Sequence, residues 1–205
     1  MRSFMISMFA FAALVAACGD DGGKSTIDAP QASDAASDSP AAGPTCAAYC
    51  AKITTNCTAT NQQYSSMATC MASCALLPVG AMSDTSGNTL GCRLYHAGNA
   101  AAGPTVHCRH AGPGGDGVCG ANCDGFCTIV QGACSTQIPP PYADKAACMT
   151  ACGNFATTPP YDQSVQTGNS LACRMYHATV ATTVPSPHCS HVKATGGAGA
   201  GFPCQ

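Results

Sequence analysis

Sixteen cysteines fall into two sets of eight with nearly the same spacing, and that pattern leaves few folds open. The first set is Cys46, Cys50, Cys57, Cys70, Cys74, Cys92, Cys108 and Cys119; the second is Cys123, Cys127, Cys134, Cys148, Cys152, Cys173, Cys189 and Cys204. The intervening residues number 3, 6, 12, 3, 17, 15 and 10 in the first set and 3, 6, 13, 3, 20, 15 and 14 in the second. Such agreement predicts two copies of one unit, residues 45–120 and 121–205. An even count in an exported chain predicts disulfides, and the paired cysteines sit at C-x3-C rather than the C-x2-C usual for zinc. The rest of the composition needs those cross-links. Hydrophobic residues make up 46% of the chain, but Ala and Cys supply more than half of them and Trp is absent. Charged residues are only 9%, with ten acidic side chains against eight basic ones, which excludes a strongly basic nucleic-acid binder.

Local sequence places helices under the cysteines. Thr45 and Ser65 are candidate N-caps for segments Cys46–Cys57 and Met67–Leu77, and Pro78 lies where the second should stop. On a helix of 3.6 residues per turn, Cys46, Cys50 and Cys57 lie at about 0°, 40° and 20°, so one stripe of sulfur faces one partner. Cys70 and Cys74 form the matching stripe. An antiparallel hairpin then pairs Cys46 with Cys74 and Cys50 with Cys70, and in the second copy Cys123 with Cys152 and Cys127 with Cys148. This spacing resembles the α-hairpinin arrangement of small plant defence peptides, over residues 46–74 and 123–152 only. A third helix is predicted near Asn88, capped by Thr89, with a twin capped by Ser170; Pro104 and, in the second copy, Pro185 and Pro187 are read as its end. The remaining four cysteines of each copy allow three pairings. The one expected is Cys57–Cys92 with Cys108–Cys119, and correspondingly Cys134–Cys173 with Cys189–Cys204.

The first 17 residues carry one cation, Arg2, followed by an apolar run from Phe4 to Ala17 that is too short to span a bilayer. The run ends in Leu14-Val15-Ala16-Ala17-Cys18-Gly19, which resembles the bacterial lipobox. That resemblance implies cleavage before Cys18, diacylation of its thiol, and, with Gly19 next, sorting to the outer membrane. Several acyl chains would anchor the protein without a membrane-spanning helix. Residues 18–44 are rich in Asp, Ser, Ala and Pro with almost no large apolar group, so they are read as a disordered tether with a span of roughly 25–30 Å.

All six histidines occupy matched positions: His96, His107 and His110 in one copy, His177, His188 and His191 in the other. They frame Cys-Arg-x-Tyr-His-Ala and His-Cys-x-His, in which Arg93/Arg174 and Tyr95/Tyr176 also match. Three imidazoles could hold Zn²⁺ or Cu²⁺ with a fourth position open. The expectation is the plainer one, with no cofactor: the rings point in different directions and bond to backbone, while Arg93 and Tyr95 cover disulfides. The glycine run 196–201 is not a phosphate cradle, because no strand precedes it and no helix follows. No hydrolase, zincin or Walker motif occurs, Glu is absent, and no cysteine is left over as a nucleophile, so no enzyme is expected. The lipobox, the tether and the twin C-R-x-Y-H-A…H-C-x-H blocks together resemble cysteine-rich lipoproteins of myxobacteria and their relatives. The expectation is thus a small disulfide-rich, mainly α protein of two helical-hairpin copies after a tether. It would be membrane-bound through an N-terminal lipid in the bacterial envelope, as a non-enzymatic binding or structural module or, alternatively, a metal-binding one.

Overall fold

A computed structural model of the protein describes residues 43–196 and 202–205. The expected signal, Cys18 and almost all of the tether lie outside the described residues, as does most of the glycine run 196–201. Among the described residues the fold is mainly helical and disulfide-rich, with eight α-helices and no strand beyond one isolated bridge between Ala156 and Ser170. None of these helices is long and apolar enough to cross a membrane.

The first half contains α1 (Cys46–Asn56), α2 (Met67–Cys74), α3 (Leu90–Asn99) and α4 (Pro104–Ala111). The second contains α5 (Asn122–Cys134), α6 (Lys145–Cys152), α7 (Leu171–Ala181) and α8 (Pro185–His191) in the same order. Polar caps start most of them. Thr45, Thr89 and Ser170 accept from backbone N–H groups three residues on, at 3.2 Å each. Ser66, not Ser65, does so for α2 at 3.1 Å, and Asp144 does so for α6 at 2.8 Å.

Each half has a small core in which α1 packs on α2 and α3, and α3 on α4; α5 packs likewise on α6, α7 and α8. Tyr49, Ile53, Tyr64, Leu90 and Leu94 fill the first core, and Phe126, Ile129, Val130, Leu171 and Met175 the second. Arg93 and Arg174 are the two largest fully buried side chains. Each satisfies its guanidinium on neutral oxygens. Arg93 donates to the carbonyls of Gly112 (3.1 Å), Pro113 (3.1 Å) and Thr89 (3.3 Å). Arg174 donates to those of Lys193 (3.1 Å), Ala194 (3.1 Å) and Ser170 (3.0 Å), and stacks on Phe155. Each arginine therefore ties the start of its own helix to the chain leaving the next one. The halves touch: Tyr161 donates to the Gln63 carbonyl at 2.8 Å, the Gln163 N–H donates to the Gln62 carbonyl at 2.8 Å, and Leu76 packs against the second core.

The disulfides form rungs Cys46–Cys74 and Cys50–Cys70 between α1 and α2, and Cys123–Cys152 and Cys127–Cys148 between α5 and α6. The other pairings differ from those expected. Cys57 joins Cys108 and Cys92 joins Cys119, in place of 57–92 and 108–119; Cys134 joins Cys189 and Cys173 joins Cys204, in place of 134–173 and 189–204. The reason lies in the prolines. Pro104 and Pro185 do not end α3 and α7; each opens a further helix at its first positions, where a missing N–H costs nothing. Cys108 thereby sits on a buried helical face against the end of α1. Cys92, in the first turn of α3, meets the loop that Arg93 holds in place.

The pairing is open to a direct count of thiols. A Cys57→Ala, Cys108→Ala chain should show no more free thiol in denaturant than the parent, whereas Cys57→Ala, Cys92→Ala should show two more. Losing the cross-link over a separation of 51 residues should cost about 4 kcal/mol of stability by loop-closure entropy.

Candidate metal centres

His96 lies in the last turn of α3, and His107 and His110 lie three residues apart on α4, hence on one face of that helix. Packing α3 on α4 brings the three rings together. The expectation that they point apart is overturned. One ring nitrogen from each of His96, His107 and His110 lies within 4.8 Å of the others, and the same holds for His177, His188 and His191. His96 Nδ1 is 2.9 Å from His107 Nδ1, and His177 Nδ1 is 2.8 Å from His188 Nδ1 and 3.3 Å from His191 Nδ1. The two clusters have nearly the same shape. The His96 ring stacks on His107 at 5.2 Å and 28° and meets His110 edge-on at 4.9 Å; the corresponding values in the second cluster are 5.0 Å and 29°, and 4.6 Å.

The tautomers follow from a backbone partner. His96 Nε2 lies 3.2 Å from the Thr85 carbonyl, and His177 Nε2 lies 3.2 Å from the Gln166 carbonyl. A carbonyl only accepts, so Nε2 carries the proton and Nδ1 of the neutral ring turns its lone pair to the cluster. This is also the outer-shell arrangement a metal-bound imidazole uses. Asp84 does not take that role. It accepts from Thr89 Oγ1 at 2.8 Å and from the Ala81 N–H at 3.0 Å. His110 Nδ1 is buried without a hydrogen-bond partner.

Burial lowers the pKa of His96, His110, His188 and His191, and pushes His177 down to about 4. Neighbouring imidazoles add to the effect at His96, His110, His177 and His191, while the carbonyl bonds at His96 and His177 oppose it. These rings are therefore neutral at neutral pH, the form that binds a cation. The sulfurs of Cys92 and Cys119 also approach His96, but they form a disulfide and are not thiolate donors. Tyr95 covers no disulfide; it is half exposed and meets the His96 ring edge-on at 5.1 Å, as Tyr176 meets His177 at 5.0 Å. Sequence reasoning missed the Thr85 and Gln166 carbonyls, which have no side-chain signature. It also missed α4 and α8, for which proline at the first helical position was the available signal.

The profile of the BfoA family C-terminal domain matches residues 23–124 and again residues 121–201. The chain belongs to this BfoA C-terminal domain family. Both matches of the BfoA domain contain a complete set of three histidines. A putative EGF-like domain-containing protein of Acanthamoeba polyphaga mimivirus is 26% identical over 147 residues, which cover 67% of this chain and 25% of the viral protein. The chain thus spans about a quarter of that relative's length. No solved structure matches the chain.

The shifted histidine gives stability a definite pH dependence. An unfolded imidazole titrates near 6.5, so between about 6.5 and 4 the unfolded chain binds a proton at residue 177 that the folded chain refuses. Stability of the metal-free protein is full above this window and falls as pH drops through it, by at most about 3 kcal/mol for this ring. Guanidinium unfolding at pH 7.5 and pH 4 should show the loss. Ring-proton NMR should place the His177 titration near 4; a midpoint near 6.5 would contradict the buried, neutral ring.

Proposed function

We propose that this protein is a non-enzymatic, lipid-anchored metal-binding module of the bacterial cell envelope, with two three-histidine centres for Zn²⁺ or Cu²⁺. The observation that carries the reading is the convergence of ring nitrogens. One nitrogen from each of three imidazoles lies within 4.8 Å of the others, a backbone carbonyl fixes the tautomer of one ring, and the arrangement occurs in both halves. A metal 2.0–2.1 Å from each nitrogen in tetrahedral geometry needs the nitrogens about 3.3 Å apart, and His177 Nδ1 and His191 Nδ1 already stand at 3.3 Å. A donor set of imidazoles without carboxylate or thiolate suits zinc and copper rather than magnesium, calcium or manganese. Without an ion, the 2.9 and 2.8 Å pairs are hydrogen bonds in which His107 and His188 donate Nδ1–H to His96 and His177; a cation would take the place of that shared proton.

The envelope location is supported by the sequence and by the cross-links. Eight disulfides persist in an oxidising compartment, and EGF-like modules, the kind named in the viral relative, are disulfide frameworks of exported proteins. The signal-like residues 1–17 and the lipobox ending in Cys18 supply export and a lipid anchor, with the outer membrane as destination. Duplication of one unit accounts for the double family match and the repeated cysteine spacing.

Calorimetry on the metal-free protein should show two equivalents of Zn²⁺ or Cu²⁺ bound. A His96→Ala variant should bind one, and a His96→Ala, His177→Ala variant none. A wild-type chain that binds no ion, or a double variant that still binds two, overturns the metal reading. The anchor is tested separately. A Cys18→Ser chain should lose acyl labelling and move to the soluble fraction, and a labelled, membrane-bound variant would refute lipidation there.

A further inference from the structure

The two histidine clusters share a scaffold but differ in what lies over the third ring. In the first half the Gly87 N–H donates to the Val118 carbonyl at 2.8 Å; in the second the Gly168 N–H donates to the Pro203 carbonyl at 2.7 Å. Val118 and Pro203 therefore hold the same place, each one residue before the last cysteine of its half. The residue preceding them is Gly117 in one half and Phe202 in the other. The Phe202 ring meets His191 edge-on, 5.6 Å between centroids and 80° between planes. Phe202 is held there by Cys204, two residues on, through the disulfide to Cys173. Gly117 has no side chain to pack on His110, and the φ of +81° there disfavours any larger residue.

We propose that the two centres exchange their ion at unequal rates. His96, His107 and His110 form an open centre that hands metal to a nitrogen or oxygen ligand from outside, and His177, His188 and His191 form a closed centre that retains it. The proposal rests on the metal reading above. A metal held by three imidazoles leaves by way of its fourth position: an incoming donor must reach the ion while one ring swings away. Phe202 resists the second of these steps at the second centre, because it packs on His191, a ring that would have to move. The first centre has Gly117 at that place and lacks this contact. One domain could then keep one ion as a fixture and pass the other on.

The experiment uses the full chain purified in detergent micelles and loaded with two equivalents of Zn²⁺. It is mixed with excess 4-(2-pyridylazo)resorcinol, and the coloured complex is followed by stopped flow. Two phases of one equivalent each are expected. His96→Ala removes the fast phase and His177→Ala the slow one. Phe202→Gly accelerates the slow phase roughly three- to tenfold, the range a single aromatic edge contact supports, and leaves the fast phase alone. Phe202→Leu, which keeps apolar volume but not the ring, serves as the second variant if the glycine variant does not fold, and it too accelerates the slow phase. Two ions released in one phase, or a slow phase indifferent to whichever Phe202 variant folds, overturn this proposal alone. A wild-type protein that takes up no Zn²⁺ overturns the metal reading and this proposal with it.

Discussion

Helices of 7 to 13 residues cannot hold their own turns in water, and these are the lengths this chain has. Stability must come from contacts between helices, yet the buried faces are largely alanine and cysteine. Covalent cross-links supply what side-chain bulk does not. In each half two rungs fuse a pair of helices, a third disulfide ties the fourth helix to the end of the first, and a fourth closes the terminal loop onto the third helix. Each removes freedom from the unfolded chain. The buried arginine plays the complementary part. It fills volume and satisfies carbonyls at the exit of the fourth helix that would otherwise be buried unpaired.

The same rigidity makes the histidine clusters possible. Three rings gathered at one place must be held there by their backbones as well as by the His96–His107 hydrogen bond. Here the Cys57–Cys108 link fixes α4 against α1, Tyr49 donates to the Ala111 carbonyl at 2.7 Å at the end of α4, and Arg93 holds Gly112 and Pro113 just beyond. The backbone that carries His107 and His110 is fixed with that helix. His96 is fixed from the other side by the Thr85 carbonyl. The cost of bringing the rings together is therefore met by the scaffold.

The hairpin rungs were legible in the sequence because two sulfurs four residues apart on each helix leave one sensible register. The caps Thr45, Thr89 and Ser170 were legible because each precedes an apolar-cysteine segment directly. The fourth helix was not, since proline both ends and begins helices and only the chain's later course separates the two. From that one misreading followed the wrong partner for Cys57, for Cys92, and for their counterparts. Convergence of the imidazoles was hidden for a different reason. It depends on the angle between α3 and α4 and on a backbone carbonyl, neither of which is written in residue identities. Only the equal placement of all six histidines hinted that they act together.

The cysteine spacings themselves divide along this line. Four intervals agree between the halves, at 3, 6, 3 and 15 residues, and three differ, at 12 against 13, 17 against 20 and 10 against 14. The variable intervals are the connections between α1 and α2, between α2 and α3, and after α4, where an added residue lengthens a surface loop at little cost. The fixed intervals of 3 and 6 lie within or at the end of single helices. The interval of 15 is different, because it runs through α3, the turn 100–103 and α4, and so contains a loop that could have varied. It also carries His96 and His107, and His110 follows two residues after Cys108. That turn joins α3 to α4, the two helices whose packing brings His107 and His110 against His96. Cys92 and Cys108 bond to different partners, so no single cross-link sets this length; the interval agrees between the halves where two helices present their histidines to one another.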